Sequence, residues 1–246
     1  MTRNTKPIYL LGDSRLLFTD QFSNDGFSSN DSRSKNPPVF ADIPDLFISD
    51  PNEETTKDSL SAAYIGASNG DEPAFYELFC EAMNRLGIKT HYFIRSSFTT
   101  DELDKLKNAH VIMLAGGDTA IGWKAMLDRG VPDILLECYS NGAVLMGISA
   151  GAIQLGWQVF TAEPVGHIEF TDGLKLAPFL VSAHEENPEW PLLQQLVTES
   201  KSISRGIGLP YGGALVYYPD GEAEVRGNSV IEIIHKDDKI HTSFLV

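Results

Sequence analysis

Cysteine, positive charge and long apolar runs are all scarce in this chain of 246 residues, and each scarcity narrows what the protein can be. Only Cys80 and Cys138 occur, both within segments that read as helix and neither in a metal-ligand spacing, so both are expected to be reduced core thiols and no metal site is expected. Nineteen basic side chains stand against 34 acidic ones, a formal net charge of -15 that repels phosphate backbones and anionic lipid. Nucleic acid and membrane are therefore not expected as partners. An acidic substrate is not excluded by the same argument, because a few local cations inside a cleft can reverse the field there. The first apolar run, Ile8 to Leu11, is too short for a signal-peptide core or a membrane span, and the expectation is a soluble, cytoplasmic protein.

The remaining composition, 42% hydrophobic and 22% charged, is that of a globular chain, and its length suits one α/β domain over residues 1–246. Ile8 to Asp13 reads as a short buried strand ending in a turn. Residues 20–59 are rich in Ser, Asn, Asp and Pro around the apolar stretch Phe40 to Ile48, and read as a surface insertion whose middle docks locally. Strands are expected at Ala62 to Ala67, Lys89 to Ile94, His110 to Leu114 and Ala143 to Ile148, alternating with helices at Pro73 to Leu86, Thr100 to Leu106, Thr119 to Arg129 and Pro132 to Asn141. Such alternation predicts a mostly parallel sheet with helices on both faces, and ligands at the carboxyl ends of its strands. Downstream, a short helix from Ala150 to about Gly156 gives way to irregular chain or short strands as far as Val181. A helix from Pro188 to Glu199 and a C-terminal antiparallel hairpin region, Gly213 to Phe244, then close the sheet edge.

Gly147-Ile148-Ser149-Ala150-Gly151 sits where an apolar strand meets a helix. A hydroxyl at such a junction is forced outward, small neighbours permit the sharp turn, and the backbone N–H of Ala150 can point at a developing oxyanion. The competing reading is that Ser149 merely caps the helix that follows. A second cluster, Gly116-Gly117-Asp118, ends another apolar strand at the same sheet edge and offers further backbone amides, with a tight turn capped by Asp118 or Thr119 as the plainer alternative. A serine hydroxyl needs a base. His91 and His110 fall at strand starts and read as structural, His235 and His241 lie in the terminal hairpins, and His167 and His184 follow Ser149 in irregular chain, where His184 ends an apolar run before a helix.

The combination of an apolar strand with Gly116-Gly117-Asp118, then Gly-x-Ser149-Ala-Gly-Ala, then His184 at a loop–helix junction resembles the dipeptidase E and cyanophycinase family of serine peptidases, over roughly residues 62–218. The resemblance implies a class I glutamine amidotransferase-like fold, Ser149 as nucleophile and His184 as base. It also implies oxyanion donors from Gly116, Gly117, Asp118 and Ala150, and exopeptidase or omega-peptidase action on small, aspartyl-containing peptides. No metal or organic cofactor is implied, and the partners expected are a small peptide substrate and a second copy of the chain in a homodimer.

Two departures stand out. Tyr211, in Gly208-Leu209-Pro210-Tyr211-Gly212, occupies the place of the family's acidic residue, and the family's basic substrate-binding motif after the histidine is missing, since Glu185 to Trp190 contain no arginine. Glu163 falls near another family acid and is the expected third member, with Glu185 and Asp172 as alternatives. Two other functions compete: an esterase-type α/β hydrolase using His235 or His241, and a catalytically silent binding protein. Glutamine amidotransferases themselves carry cysteine at the elbow, and this chain carries serine.

Overall fold

A computed structural model describes residues 5–19, 39–48, 57–162, 168–185 and 187–246. Its centre is a seven-stranded sheet. Five strands run parallel in the order β1 (Ile8–Leu11), β5 (Val144–Ile148), β4 (Val111–Leu114), β2 (Ser61–Ile65), β3 (Thr90–Ile94). Beyond β1 the sheet continues antiparallel through β10 (Gly213–Tyr217) and β11 (Ala223–Gly227). Strands β1, β2, β4 and most of β5 are buried along their length, as near-continuous apolar runs between two helical layers should be.

Alternate side chains of these strands feed two cores. Leu10, Ile65, Ile112 and Leu145 face one side, where they meet α2 (Thr100–Lys107), α3 (Thr119–Leu127), α4 (Val131–Ser140) and α5 (Ala150–Leu155). Tyr9, Tyr64, Met113 and Met146 face the other, against Phe79 and Met83 of α1 (Pro73–Arg85) and against Val39, Phe40 and Ile43. The apolar middle of the Ser/Asn-rich stretch thus packs on the sheet. Arg226 of β11 pins it there, donating to Val39 O at 3.0 Å and to Asp42 Oδ1 at 2.7 Å. Residues 20–38 and 49–56 of that stretch lie outside the described residues.

The C-terminal region does more than close an edge. Only β10 and β11 extend the large sheet; β12 (Val230–Lys236) and β13 (Lys239–Leu245) form a second sheet of order β13-β12-β9-β8 with β9 (Arg205–Leu209) and β8 (Leu180–Ala183). Helix α6 (Pro191–Glu199) covers it through Leu193, Leu196 and Val197. A two-stranded ribbon, β6 (Gln158–Ala162) with β7 (Ile168–Asp172), fills the stretch expected to be irregular. Helix α6 begins at Pro191, three residues later than the pattern predicts, because Trp190 takes a left-handed φ of 54° that helix cannot continue through. Among the described residues no helix is long and apolar enough to cross a membrane.

Candidate active site

The carboxyl ends of β1, β2, β4 and β5 converge on one edge of the large sheet, and the chain turns there at Gly12, Asn69, Gly116 and Ser149, all of which line a single cavity of about 260 Å³. Ser149 is held in an unusual conformation, φ 50° and ψ −107°, between β5 and α5. A non-glycine residue with positive φ is strained, and the strain is sustained by what surrounds it. Its N–H donates to Leu11 O at 2.8 Å, fastening the turn to β1. On the far side α5 leans so close to β4 that a Cβ at Gly151 would lie 2.2 Å from the carbonyl oxygen of Leu114, so no larger residue fits. The Ser149 side chain makes no capping bond to α5, which removes the helix-cap explanation for it.

Instead Ser149 Oγ lies 2.8 Å from His184 Nε2. The histidine arrives from the other sheet: β8 ends at Ala183, and His184, with φ 41°, donates its N–H to Leu209 O of β9 at 2.7 Å. Its imidazole is stacked on the ring of Tyr211, centroids 4.8 Å apart and planes 10° apart. The Arg15 guanidinium also lies over that ring, 4.9 Å from its centroid. Asp13 ties the group together, accepting from Arg15 N at 2.7 Å and Gly212 N at 3.0 Å. Sequence reasoning passed over Asp13 and Arg15; the one available signal was Gly12-Asp13 at the end of the first strand.

The other expected site residues separate into three groups. Gly116 and Gly117 line the cavity beside Ser149, and Ala150 opens α5 next to it. Asp118 belongs to the turn: its N–H donates to Ser68 O at 2.7 Å and its carboxylate accepts from Ile121 N at 2.9 Å, which makes it the cap of α3. Glu163 and His167 lie outside the described residues.

Two alternatives for the orienting acid are corrected by the structure. Glu185 spends its carboxylate on Ser182 Oγ, Leu192 N and Leu193 N at 2.8–3.0 Å, at the start of α6. Asp172 pairs with Lys175 at 2.7 Å. His235 and His241 sit on β12 and β13, whereas His184 follows β8 at the opposite edge of that sheet, so neither is the partner of Ser149. His91 and His110 are bonded to Ile88 O and Ser61 N respectively, as structural histidines.

Both thiols stand apart from the elbow. Burial pushes Cys138 up to about 11 and also raises Cys80, which keeps each protonated and unreactive near neutral pH. The chemistry available at this sheet edge is therefore that of a hydroxyl in contact with an imidazole, beside glycine amides and a helix start.

A sequence model of the peptidase family S51 matches residues 49–225. The chain belongs to peptidase family S51. This is the dipeptidase E and cyanophycinase family, and the S51 match spans Ser149 and His184 alike. An uncharacterized peptidase, YgaJ of Bacillus subtilis (strain 168), is 25% identical over 173 residues, covering 68% of this chain and 73% of its own. Among solved structures, a peptidase from an acI-B1 actinobacterium superposes with a TM-score of 0.67 at 17% identity, covering 97% of this chain and 94% of its own. A protein assigned as peptidase E from Listeria monocytogenes EGD-e gives 0.58 at 19% identity, with 92% and 100% coverage. At these identities the structural likenesses speak for the fold, a mostly parallel α/β sheet, while membership of S51 makes the protein a peptidase.

Proposed function

We propose that this S51 peptidase is a serine exopeptidase or omega-peptidase of small peptides, in which Ser149 is the nucleophile and His184 the general base. The observation that carries this reading is the 2.8 Å contact between Ser149 Oγ and His184 Nε2 at a strained strand–helix turn. Ser149 Oγ attacks the peptide carbonyl carbon as its proton passes to Nε2. The carbonyl oxygen, now an oxyanion, is met by the N–H groups of Ala150 and of the Gly116-Gly117 turn. As the C–N bond breaks, Nε2 returns the proton to the leaving nitrogen and an acyl ester remains on Ser149. Water then attacks that ester, again losing its proton to Nε2, and the acid product leaves with Ser149 restored.

Among the described residues no hydrogen bond reaches His184 Nδ1, and Asp172 and Glu185 are committed elsewhere. Glu163, which the family resemblance implies as the acid and which lies outside the described residues, is the residue we propose for the orienting role, with Tyr211 bracing the ring face. Hydrolysis of a dipeptide library by the wild-type protein beside Ser149→Ala, with fluorophosphonate labelling read by peptide mass, tests the reading. Turnover and labelling that both vanish in Ser149→Ala sustain it; turnover that survives the substitution ends it. Glu163→Gln should lower kcat and shift the acid limb of the pH profile, and an unchanged profile removes Glu163 from the assignment.

A further inference from the structure

The cavity beside Ser149 is walled chiefly by hydrocarbon. Leu17, Phe75, Leu78, Phe79, Met113 and Ile148 line it together with Ser149 and His184. Phe75, Leu78 and Phe79 lie three and four residues apart, which places them on one face of α1. Phe79 is buried, whereas Phe75 and Leu78 are 51% and 45% exposed at the mouth. Large apolar side chains left open along one wall of a cleft are the usual lining of a site for an apolar group.

Tyr64, Asn69 and Asp13 in the wall are already engaged. The Tyr64 hydroxyl accepts from Asn69 Nδ2 at 2.7 Å, and burial raises its pKa to about 12, so it stays neutral. Asn69 Oδ1 accepts from Glu72 N at 3.3 Å. Asp13 accepts from the backbone of Arg15 and Gly212. No lysine or arginine is among the described residues that line the cavity, and nearby Arg15 is paired with Asp13 and laid over Tyr211. A carboxylate entering this space would lose water without gaining a cation, while an alkyl or aryl group would lose nothing by leaving water.

We infer that the residue whose carbonyl Ser149 attacks carries a bulky apolar side chain, of leucine, methionine or phenylalanine size, and not the aspartyl side chain that the family resemblance implies. The inference rests on the serine-peptidase reading for the placement of that carbonyl. The side chain branches from the Cα bonded to the carbonyl carbon, so with the carbonyl between Ser149 and the Gly116-Gly117 turn it enters the cavity that those residues share with α1.

Single-residue p-nitroanilides keep the leaving group constant and vary only this side chain. Leucyl, methionyl or phenylalanyl p-nitroanilide should be cleaved with a kcat/KM at least tenfold above aspartyl p-nitroanilide, and an equal or better aspartyl rate overturns the inference. Leu78→Lys places a cation at the exposed mouth without touching the buried core. It should shift the apolar-to-aspartyl ratio at least tenfold towards aspartyl, and an unmoved ratio counts against the cavity as the specificity site.

Calorimetric titration of Ser149→Ala with Leu-Leu and Asp-Leu separates this inference from the reading beneath it. Tighter binding of Leu-Leu supports the cavity whether or not the wild-type protein turns over, whereas binding of neither peptide, or tighter binding of Asp-Leu, overturns it. Fluorophosphonate labelling of Ser149 in the wild-type protein reports on the nucleophile independently.

Discussion

His184 and Tyr211 lie face to face, their rings 4.8 Å apart and within 10° of parallel, so the imidazole that contacts Ser149 is held by a ring face where a triad acid would hold a ring edge. The Arg15 guanidinium also lies over the tyrosine ring, 4.9 Å from its centroid. Arg15 and Tyr211 are tied together by Asp13, which bonds both Arg15 and the backbone that follows Tyr211. An imidazole so stacked loses its freedom to swing away from Ser149. Among the described residues it gains no acceptor for its second nitrogen.

The stack makes Tyr211 a positioning residue, and its ring should matter more than its hydroxyl. Tyr211→Phe is expected to keep kcat within about threefold of wild type. An aromatic pair contributes about 0.5–1.5 kcal/mol beyond area, so Tyr211→Ala should lower kcat by up to roughly tenfold with KM little changed. Tyr211→Glu should fall with the alanine variant, since its carboxylate starts above the imidazole face. Steady-state kinetics with pH profiles check this, and a Tyr211→Glu rate above wild type would mean that an acid is what the site lacks.

Strain at Ser149 predicts a trade between stability and activity. Glycine tolerates φ 50° and ψ −107° as no other residue does, so Ser149→Gly should remove hydrolysis and yet raise stability by about 1 kcal/mol. In a chain of this size that is a Tm increase of about 2–4 °C. Ser149→Ala keeps the strain and should show no such gain. Thermal unfolding of the three proteins side by side measures the difference.

The alternation from Ser61 to Leu155 was readable because each strand is a short apolar run bounded by turn residues, and β1, β2, β4 and β5 came out within a residue or two of their predicted ends. Strand β9 was not readable. Its sequence, Arg205-Gly206-Ile207-Gly208-Leu209, looks like loop, yet both glycines serve packing: a Cβ at Gly206 would meet Leu193 Cδ1 at 2.6 Å, and one at Gly208 would meet Trp190 Cε3 at 2.6 Å. The space those hydrogens leave is filled by Leu193 of α6 and by Trp190 just before it, contacts no local pattern announces. The same limit hid the stack on His184, because Tyr211 follows β9 and His184 follows β8, and only the parallel pairing of those strands sets them side by side. The Ser149 turn was legible for the opposite reason, since strand, turn and helix are contiguous there.

Glu185 follows His184 in sequence but serves the next helix. With Ser182 Oγ and the N–H groups of Leu192 and Leu193 all donating to its carboxylate, it closes the start of α6 at a terminus that Trp190 cannot cap. Glu185→Ala should cost about 1–2 kcal/mol of stability in urea denaturation, and Glu185→Gln less, because the amide oxygen still accepts.

A pH-dependent contribution is expected from Glu102, whose carboxylate is almost fully enclosed beneath the start of α2. Burial by itself would raise its pKa. The bonds it receives from Thr99 N at 2.9 Å, Thr99 Oγ1 at 2.8 Å and Arg95 Nη1 at 3.1 Å outweigh that and hold it below the ordinary glutamate range. A carboxyl group that is more acidic folded than unfolded binds more protons in the unfolded state at mildly acid pH. Its contribution is therefore complete above the unfolded pKa and drains away as pH falls through the folded one. Glu102→Gln also breaks the reciprocal cap with Thr99, so at pH 7 it should destabilise by about 1–2 kcal/mol. The gap between variant and wild type should narrow as pH drops below about 5 and through the lowered folded-state pKa, beneath which the wild-type glutamate is itself neutral. Urea midpoints for the two proteins across that range test the sign directly: a gap that widens on acidification would contradict the bonding described for Glu102.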